Sequence, residues 1–228
     1  WTVSQWGSVS LPSWVSTGGK WYNGYANFSG ANALEISKGG QVTEFNIGFG
    51  DFTVECWIYF HDETTNTAED IFSTGPYGMN QFTLRRVESD QLEASWNDQI
   101  ILSGGLFEPN QWYHIAVTRD KKQVWRLFID GTMVAHRFLD TIDIAANVPV
   151  LIGQQSGNVW ALDGGIQDFV VYNNLAKYTE DFIPPNRGIL SYNRNFYSVS
   201  GSKTSRLSIV PANSGADIVD CVLSNPFV

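Results

Sequence analysis

The sequence predicts an all-β fold, a sandwich or barrel of many short strands. Three observations predict it: alternation of apolar and polar residues with period two, turn chemistry at short intervals, and no sustained helical period. Phe52 to Phe60 is the strongest run, with Phe52, Val54, Cys56, Ile58 and Phe60 on one face and Thr53, Glu55, Trp57 and Tyr59 on the other. Gln111 to Arg119 repeats the pattern, with Tyr113, Ile115 and Val117 opposed to Trp112, His114, Ala116 and Thr118. Gln123 to Asp130 places Trp125, Leu127 and Ile129 together. Shorter strands are expected near 33–37, 70–74, 81–86, 91–96, 99–102, 132–137, 149–153 and 166–172. Asp130-Gly131 between two strand patterns is a tight hairpin signal. Glu88-Ser89-Asp90 and Asp120-Lys121-Lys122 read as looser turns. Gly104-Gly105, Gly164-Gly165 and Pro184-Pro185 read as breaks. Leu175 to Tyr178 could form one short helical turn.

Composition agrees with a single packed domain carrying extra segments. The 228 residues are 43% hydrophobic and 14% aromatic, enough for a sizeable core. Charged residues are only 16%, and the formal net charge is −9. An acidic chain without a basic stripe excludes a phosphate-gripping nucleic-acid surface. No apolar run reaches the ~20 residues of a helical membrane span, so membrane insertion is not expected. The two cysteines are too few for a disulfide scaffold or a structural zinc site. Cys56, within its apolar strand, reads as a small buried hydrophobe; a bridge to Cys221 has no support from spacing. The chain begins at Trp1 without an initiator Met, as a processed product, an excised domain or a chain begun partway would.

Both ends differ from the middle. Residues 1–23 hold Trp1, Trp6, Trp14 and Trp21 among Ser, Gly and Pro. After Pro184-Pro185 the chain turns Ser- and Asn-rich, with strand-like runs at Arg206 to Val210 and Asp217 to Leu223. Residues 24–186 carry 9 basic and 21 acidic groups, a charge of −12, whereas residues 187–228 carry 4 basic and 2 acidic, a charge of +2. An acidic body is thus expected to carry two arms, 1–23 and 187–228.

Three ordered blocks then stand out. Phe45 to Ile58 (Phe-Asn-Ile-Gly-Phe-Gly-Asp-Phe-Thr-Val-Glu-Cys-Trp-Ile) resembles the opening strand of laminin-G-like, concanavalin A-like domains. Trp112 to Arg119, with Leu127-Phe128-Ile129-Asp130-Gly131, resembles their central hairpin. Gly165 to Tyr172 resembles their closing strand. The tail Asn174-Leu175-Ala176-Lys177-Tyr178-Thr179, with Phe182 and Pro184-Pro185, looks like that of versions carried by bacteriophage structural proteins. The resemblance covers 24–186 and implies a two-sheet antiparallel jelly-roll sandwich, with both arms outside it. Where the family pattern often has two Asp and a later Arg around the closing strand, this chain has Gln167, Asp168 and Val170. The fold hosts lectins, glycosidases, adhesion modules and structural domains, so function must come from a site. The resemblance implies a non-enzymatic, virion-associated decoration, fibre or tail protein, with other virion subunits, itself or surface glycans as partners. A purely structural virion protein docked through its arms is one alternative; an extracellular glycosidase is another.

The residues narrow these readings. Glycosidase chemistry needs two carboxylates across a groove. The Glu-x-Asp-x-x-Glu pattern of the glucanases sharing this fold is absent, and Glu55, Glu93, Asp140 and Asp143 stand singly. His61, His114 and His136 have no metal or triad spacing. Gly153 to Gly157 lacks the Lys of a phosphate loop. Members of the fold often bind Ca²⁺ at a loop rim. Here Asp62, Glu63, Glu69 and Asp70 are the candidate ligands, with Asn158 or Asp163 available from another loop. Aromatic rings beside amides are the strongest binding signal, since sugars stack on rings and bond to amides and carboxylates. Trp96 and Trp160 are the expected platforms, with Asn97, Asp98, Asn158 and Asp163 as hydroxyl partners. Trp57, Tyr59 and Trp112 also lie off the main core faces.

Overall fold

The computed structural model describes residues 2–5, 10–21, 24–37, 47–62, 68–74, 80–144, 150–154 and 160–185, and the backbone of 206–211 and 219–224. The strands, in chain order, are β1 (Thr2–Gln5), β2 (Ser13–Val15), β3 (Tyr25–Ser29), β4 (Leu34–Ser37), β5 (Phe52–Phe60), β6 (Glu69–Thr74), β7 (Phe82–Arg86), β8 (Leu92–Trp96), β9 (Gln99–Gly104), β10 (Trp112–Arg119), β11 (Val124–Ile129), β12 (Thr132–Phe138), β13 (Val150–Ile152), β14 (Asp163–Asn173), β15 (Arg206–Pro211) and β16 (Val219–Ser224). No helix occurs among the described residues.

Two seven-stranded antiparallel sheets form the sandwich. The first runs β1-β4-β13-β6-β7-β8-β9 and the second β12-β11-β10-β5-β14-β3-β2. β15 and β16 make a separate two-stranded hairpin. Large apolar side chains of both sheets meet in one core: Phe72, Phe82, Leu84 and Leu92 from the first, and Phe52, Val54, Ile58, Ile115, Val117 and Trp125 from the second. Cys56 is part of that core, a buried free thiol, and burial pushes its pKa up. The strands expected from alternation are all present. The short β2 and β3 carry too few residues for a period to register, and β1 lies within the Trp-rich N-terminal segment. β1 pairs with β4 and β2 with β3, so residues 1–23 contribute a strand to each sheet.

Two expectations are corrected. Leu175 to Tyr178 makes no helical turn and no strand, because its backbone carbonyls are held by side chains of the sheet below. Gly164 and Gly165 are not a break but lie inside β14. A Cβ at Gly164 would strike the Tyr59 carbonyl, and one at Gly165 the Tyr25 ring, so these positions permit close approach rather than a turn. The Asp130-Gly131 hairpin forms as expected, with φ of 49° and 79°, the left-handed pair of a type I′ turn.

One buried cation ties the end of the sandwich. Arg119, fully enclosed on β10, donates from Nε to the Gly50 carbonyl (2.9 Å), from Nη1 to that of Ile142 (2.8 Å) and from Nη2 to that of Gly48 (2.7 Å). Burial lowers its pKa to about 10, while the charges of Asp143 and Asp51 favour the cation, so it stays protonated at neutral pH. Its guanidinium also sits 4.9 Å from the Trp125 ring centroid.

Candidate functional site

A sandwich has two outer faces, and here they are finished differently. The second sheet's outer face is closed by two straps. Residues 175–182 lie over β5 and β10. Thr53 and Thr118 hydroxyls donate to the Leu175 and Tyr178 carbonyls, both at 2.9 Å. Beneath the strap sits Glu55, 4% exposed. Lys177 Nζ donates to it at 2.5 Å and Tyr178 Oη at 2.7 Å, and His114 Nε2 lies 3.5 Å away. Burial opposes ionisation of Glu55, but hydrogen bonding with His114 and the charge of Lys177 overcome it and hold the carboxyl down at about 2. Tyr178 and Phe182 stack at 3.5 Å, and Phe182 packs on Phe128.

Residues 18–21, with Gly24 and Tyr25, cover more of that face. Trp21 meets Trp57 edge-on at 5.4 Å, with Lys20 Nζ 4.5 Å over the Trp57 ring. Trp112 Nε1 donates to the Gly18 carbonyl at 2.9 Å, and Tyr25 packs against both Tyr59 and Trp112. The off-core rings Trp57, Tyr59 and Trp112 therefore serve chiefly to seat the N-terminal segment.

The first sheet's outer face is polar, and Asp70, Ser73, Thr83, Glu93 and Ser95 on it are all buried. Cross-strand pairing sets Asp70 beside Arg85 and Arg85 beside Glu93, with Ser73, Thr83 and Ser95 in the neighbouring row. A bulge at Ile71 resets β6, so Asp70 shares the face of Arg85 while Phe72 turns to the core beside Leu84. Arg85 Nε and Nη2 both donate to Glu93 Oε1, at 2.8 and 2.5 Å. Trp160 stacks over Arg85, its ring centroid 5.3 Å from the guanidinium carbon. The Trp160 carbonyl accepts from the Asp70 N–H at 2.7 Å. Trp160 has φ 56°, a left-handed conformation costly for a bulky residue.

Asp70 is the anomaly of this face. It is 0% exposed, and among the described residues neither carboxylate oxygen has a hydrogen-bond donor. Burial pushes its carboxyl well above the usual range; Arg85 opposes the shift, and Asp98 and Glu93 add to it. A buried carboxyl without a partner costs free energy.

The sequence-derived platform is split by the structure. Trp160 and Asp98 belong to the Asp70 face. Trp96 does not: it pairs with Phe82 and packs against the core, with Nε1 buried and without a hydrogen-bond partner among the described residues. Asn97 and Asp98, at φ 49° and 59°, form the two-residue turn between β8 and β9, and Asn97 Oδ1 accepts from the Gln81 N–H at 3.0 Å. Asp163 turns to His61, 2.7 Å from Nδ1. Asn158 lies outside the described residues.

The candidate calcium ligands do not converge either. Glu69 is bound to Arg86 and accepts from the Asp163 N–H at 3.0 Å, while Asp70, its neighbour on the strand, points to the opposite face. Asp62 offers its backbone carbonyl to Arg86 at 2.9 Å. Glu63 lies outside the described residues. Among those described, no three His, Cys, Asp or Glu side chains gather as a metal site.

Asp70 and Glu93 are the nearest approach to a carboxylate pair. They share a face two strands apart, roughly 9.5 Å by strand spacing, within reach of an inverting glycosidase separation. Arg85 stands between them, however, and holds Glu93 by two hydrogen bonds, so the space a glycosidic oxygen and water would need is filled. Sequence reading missed Arg85 and Glu93 as partners. The available signal was the polar alternation Thr83/Arg85 and Glu93/Ser95 on two successive strands.

The fold and its two differently finished outer faces define a concanavalin A-like jelly-roll sandwich. Residues 34–180 match the concanavalin A-like lectin/glucanases superfamily, and the chain belongs to that family. Similar solved structures include a candidate carbohydrate-binding protein of Bacteroides ovatus (21% identity, TM-score 0.53, 67% of this chain and 43% of that one). Mouse laminin α1 domains LG4-5 are also similar (10%, 0.50, 68% and 44%). So is Trypanosoma rangeli sialidase bound to 2,3-difluorosialic acid (16%, 0.50, 66% and 25%). This chain spans less than half the length of each, and at such identities the likeness is one of fold. No curated protein sequence matches.

Two predictions follow from the buried carboxyls, with opposite signs. Glu55 has a lowered folded pKa, so its stabilisation is intact above the ordinary carboxylate pKa near 4.5 and is lost as pH falls toward about 2. Urea midpoints between pH 5 and pH 2 should therefore fall more steeply for the native chain than for Glu55→Gln. Asp70 has a raised pKa, so its contribution is favourable at low pH and is lost as pH rises. Asp70→Asn should be more stable than the native chain at pH 7, by about 1 kcal/mol or more, seen as a higher melting temperature, with the two converging near pH 3.

Proposed function

We propose that this chain is a non-catalytic carbohydrate-recognition module whose ligand lies on the outer face of the first sheet, beside Trp160. The observation that carries the reading is Asp70: an enclosed carboxyl without a donor among the described residues, next to an Arg–Glu pair and beside a strained tryptophan. Sugar hydroxyls are the donors such a carboxyl lacks, and an indole ring is the surface on which a pyranose stacks. The likeness to a candidate carbohydrate-binding protein agrees with this, and the Arg85 wedge between Asp70 and Glu93 argues against hydrolysis. Stacking plus a few hydrogen bonds in competition with water gives single-site binding near the millimolar end, about −4 kcal/mol. Many copies acting together make such a site effective.

We further propose that the copies are supplied by a bacteriophage particle, on whose surface the chain is displayed. Support comes from the resemblance of the Asn174 to Pro185 tail to that of phage structural proteins, and from the charge contrast between the −12 body and the +2 segment 187–228. On that reading the chain lacking 187–228 should fold with an unchanged melting temperature but fail to join its assembly; normal incorporation of the truncated chain sinks it.

Trp160→Ala tests the binding face. Displayed in many copies on a glycan array, the native chain should bind and the variant should lose binding at least tenfold, with a melting temperature within a few degrees of native. Loss of folding in the variant would make the ring structural, and a native array without any bound glycan would remove the reading.

A further inference from the structure

Asp70 is enclosed by the chain itself, and its cover can be traced from the pairing of β6. On one side of β6, β13 pairs with Phe72 to Thr74. Beyond the end of β13, Trp160 and Ala161 continue along the same side: Ala161 bridges to Asp70, and the Asp70 N–H donates to the Trp160 carbonyl at 2.7 Å. On the other side of β6, Arg85 is the cross-strand partner of Asp70. Asp70 therefore stands between the Trp160 backbone and Arg85. Arg85 leans away from it, toward Glu93, to which its Nε and Nη2 both donate. The Trp160 ring nevertheless reaches the guanidinium, its centroid 5.3 Å from the guanidinium carbon. To do so, the ring crosses β6 at Asp70. An indole thus roofs the carboxyl, which accounts for its complete burial.

We infer that the Trp160 ring is a pH-controlled roof, closed over Asp70 while the carboxyl carries its proton and lifted when rising pH removes it. The inference concerns the cover of the carboxyl and stands without the ligand proposed above. A carboxylate needs donors, and among the described residues none reaches either oxygen. The charged groups that face Asp70 are Arg85 from β7, Glu93 from β8 and Asp98 from the turn after β8, one cation against two carboxylates. Val150–Ile152 and Trp160–Leu162 carry no titratable side chain. Glu69 and Asp163 are engaged elsewhere, with Arg86 and His61. Arg85 can turn to Asp70 only by leaving Glu93 buried and unpaired. Water supplies the donors instead, and it reaches Asp70 only when the ring moves. Linkage sets the direction. Burial raises the carboxyl of the closed form, Arg85 opposes this, and Asp98 and Glu93 add to it, so the closed form holds the proton more tightly than the open one. Closure is therefore favoured at low pH and lost as pH rises. Between the open-form and closed-form pKa values, the opening constant grows about tenfold per pH unit. The closed ring also holds its backbone at φ 56°, costly for a bulky residue, so lifting releases strain.

The test uses the full chain labelled with 5-fluorotryptophan and read by fluorine NMR from about pH 4 to about pH 9. The Trp160 signal is the one missing from Trp160→Phe. Its shift between light and heavy water reports contact with solvent. In the native chain this isotope shift should be small at the acid end. It should rise toward that of free 5-fluorotryptophan along a one-proton curve, with its midpoint well above that of an ordinary carboxyl. The signal of Trp125, fully buried in the core, should stay fixed, which separates lifting from unfolding. Asp70→Asn, which cannot ionise, should keep the ring closed at every pH. Asp98→Asn, which keeps a residue suited to the left-handed turn, should move the midpoint to lower pH. Trp160→Ala should bring the Asp70 carboxyl, followed by its carbon-13 signal, back toward the ordinary range. A Trp160 signal that does not move with pH, that moves equally in Asp70→Asn, or that moves only together with Trp125 would overturn the inference. No readout uses a ligand, so a glycan array without binding leaves the roof standing, and a motionless ring leaves the binding proposal to its own test.

Discussion

Glu55 closes one side of this molecule. A two-sheet sandwich buries its two inner faces against each other and leaves two outer faces to water or to other segments. On the second sheet the outer face is covered because one carboxylate, alone on β5, collects an ammonium from Lys177 and a phenol from Tyr178. These partners lie four and five residues beyond the closing strand, so the chain must run back across the sheet to deliver them. Once it does, Phe182 is carried onto Phe128, and its N–H reaches the Gly131 carbonyl at 2.9 Å. The strap and the central hairpin then hold each other. Gly131 has no room for a side chain there, since a Cβ would meet the Phe182 carbonyl. A charge-assisted contact thus fixes the route of a whole segment.

Much of this architecture was legible because strand alternation is a local property. Phe52 to Phe60 or Trp112 to Arg119 must alternate whatever their neighbours do, and Asp130-Gly131 or Asn97-Asp98 must turn. Other features were illegible for a physical reason: they depend on what lies across the sheet. Gly164-Gly165 looks like a break until Tyr59 and Tyr25 are seen to need the space. Leu175 to Tyr178 looks helical until Thr53 and Thr118 claim its carbonyls. Arg119 reads as the polar end of a strand, although three loop carbonyls surround it.

The candidate site was legible in part for the same reason. Trp160 was visible because a tryptophan beside amides in a loop is an unusual expense of apolar surface. Trp96 carried the same local signal, yet its register with Phe82 turns it inward. A single period-two strand cannot reveal which of its faces is the core when both faces are apolar or aromatic. Asp70 and Glu69 raised the opposite problem. Adjacent acids in one run suggested a shared ion, but the strand sends them to different faces, Glu69 to Arg86 and Asp70 to the Arg85 row. The Arg85–Glu93 pair belongs to two strands and becomes visible only when their register is known.

Glu55 and Asp70 are nearly equal in burial, and the difference between them separates the two outer faces. Glu55 is surrounded by groups that favour its charge, and the chain beyond β14 is spent on supplying them. Asp70 is surrounded by groups that on balance disfavour its charge, and no described segment supplies a donor. Sequence could have relieved it cheaply: an asparagine, or a nearby hydroxyl in reach, would lower the cost without disturbing the bulge at Ile71. Keeping the carboxyl, and keeping Trp160 in a left-handed conformation beside it, lowers stability at two adjacent places on one face. Such a coincidence of strain and unsatisfied polarity is expected where a fold reserves interactions for a ligand.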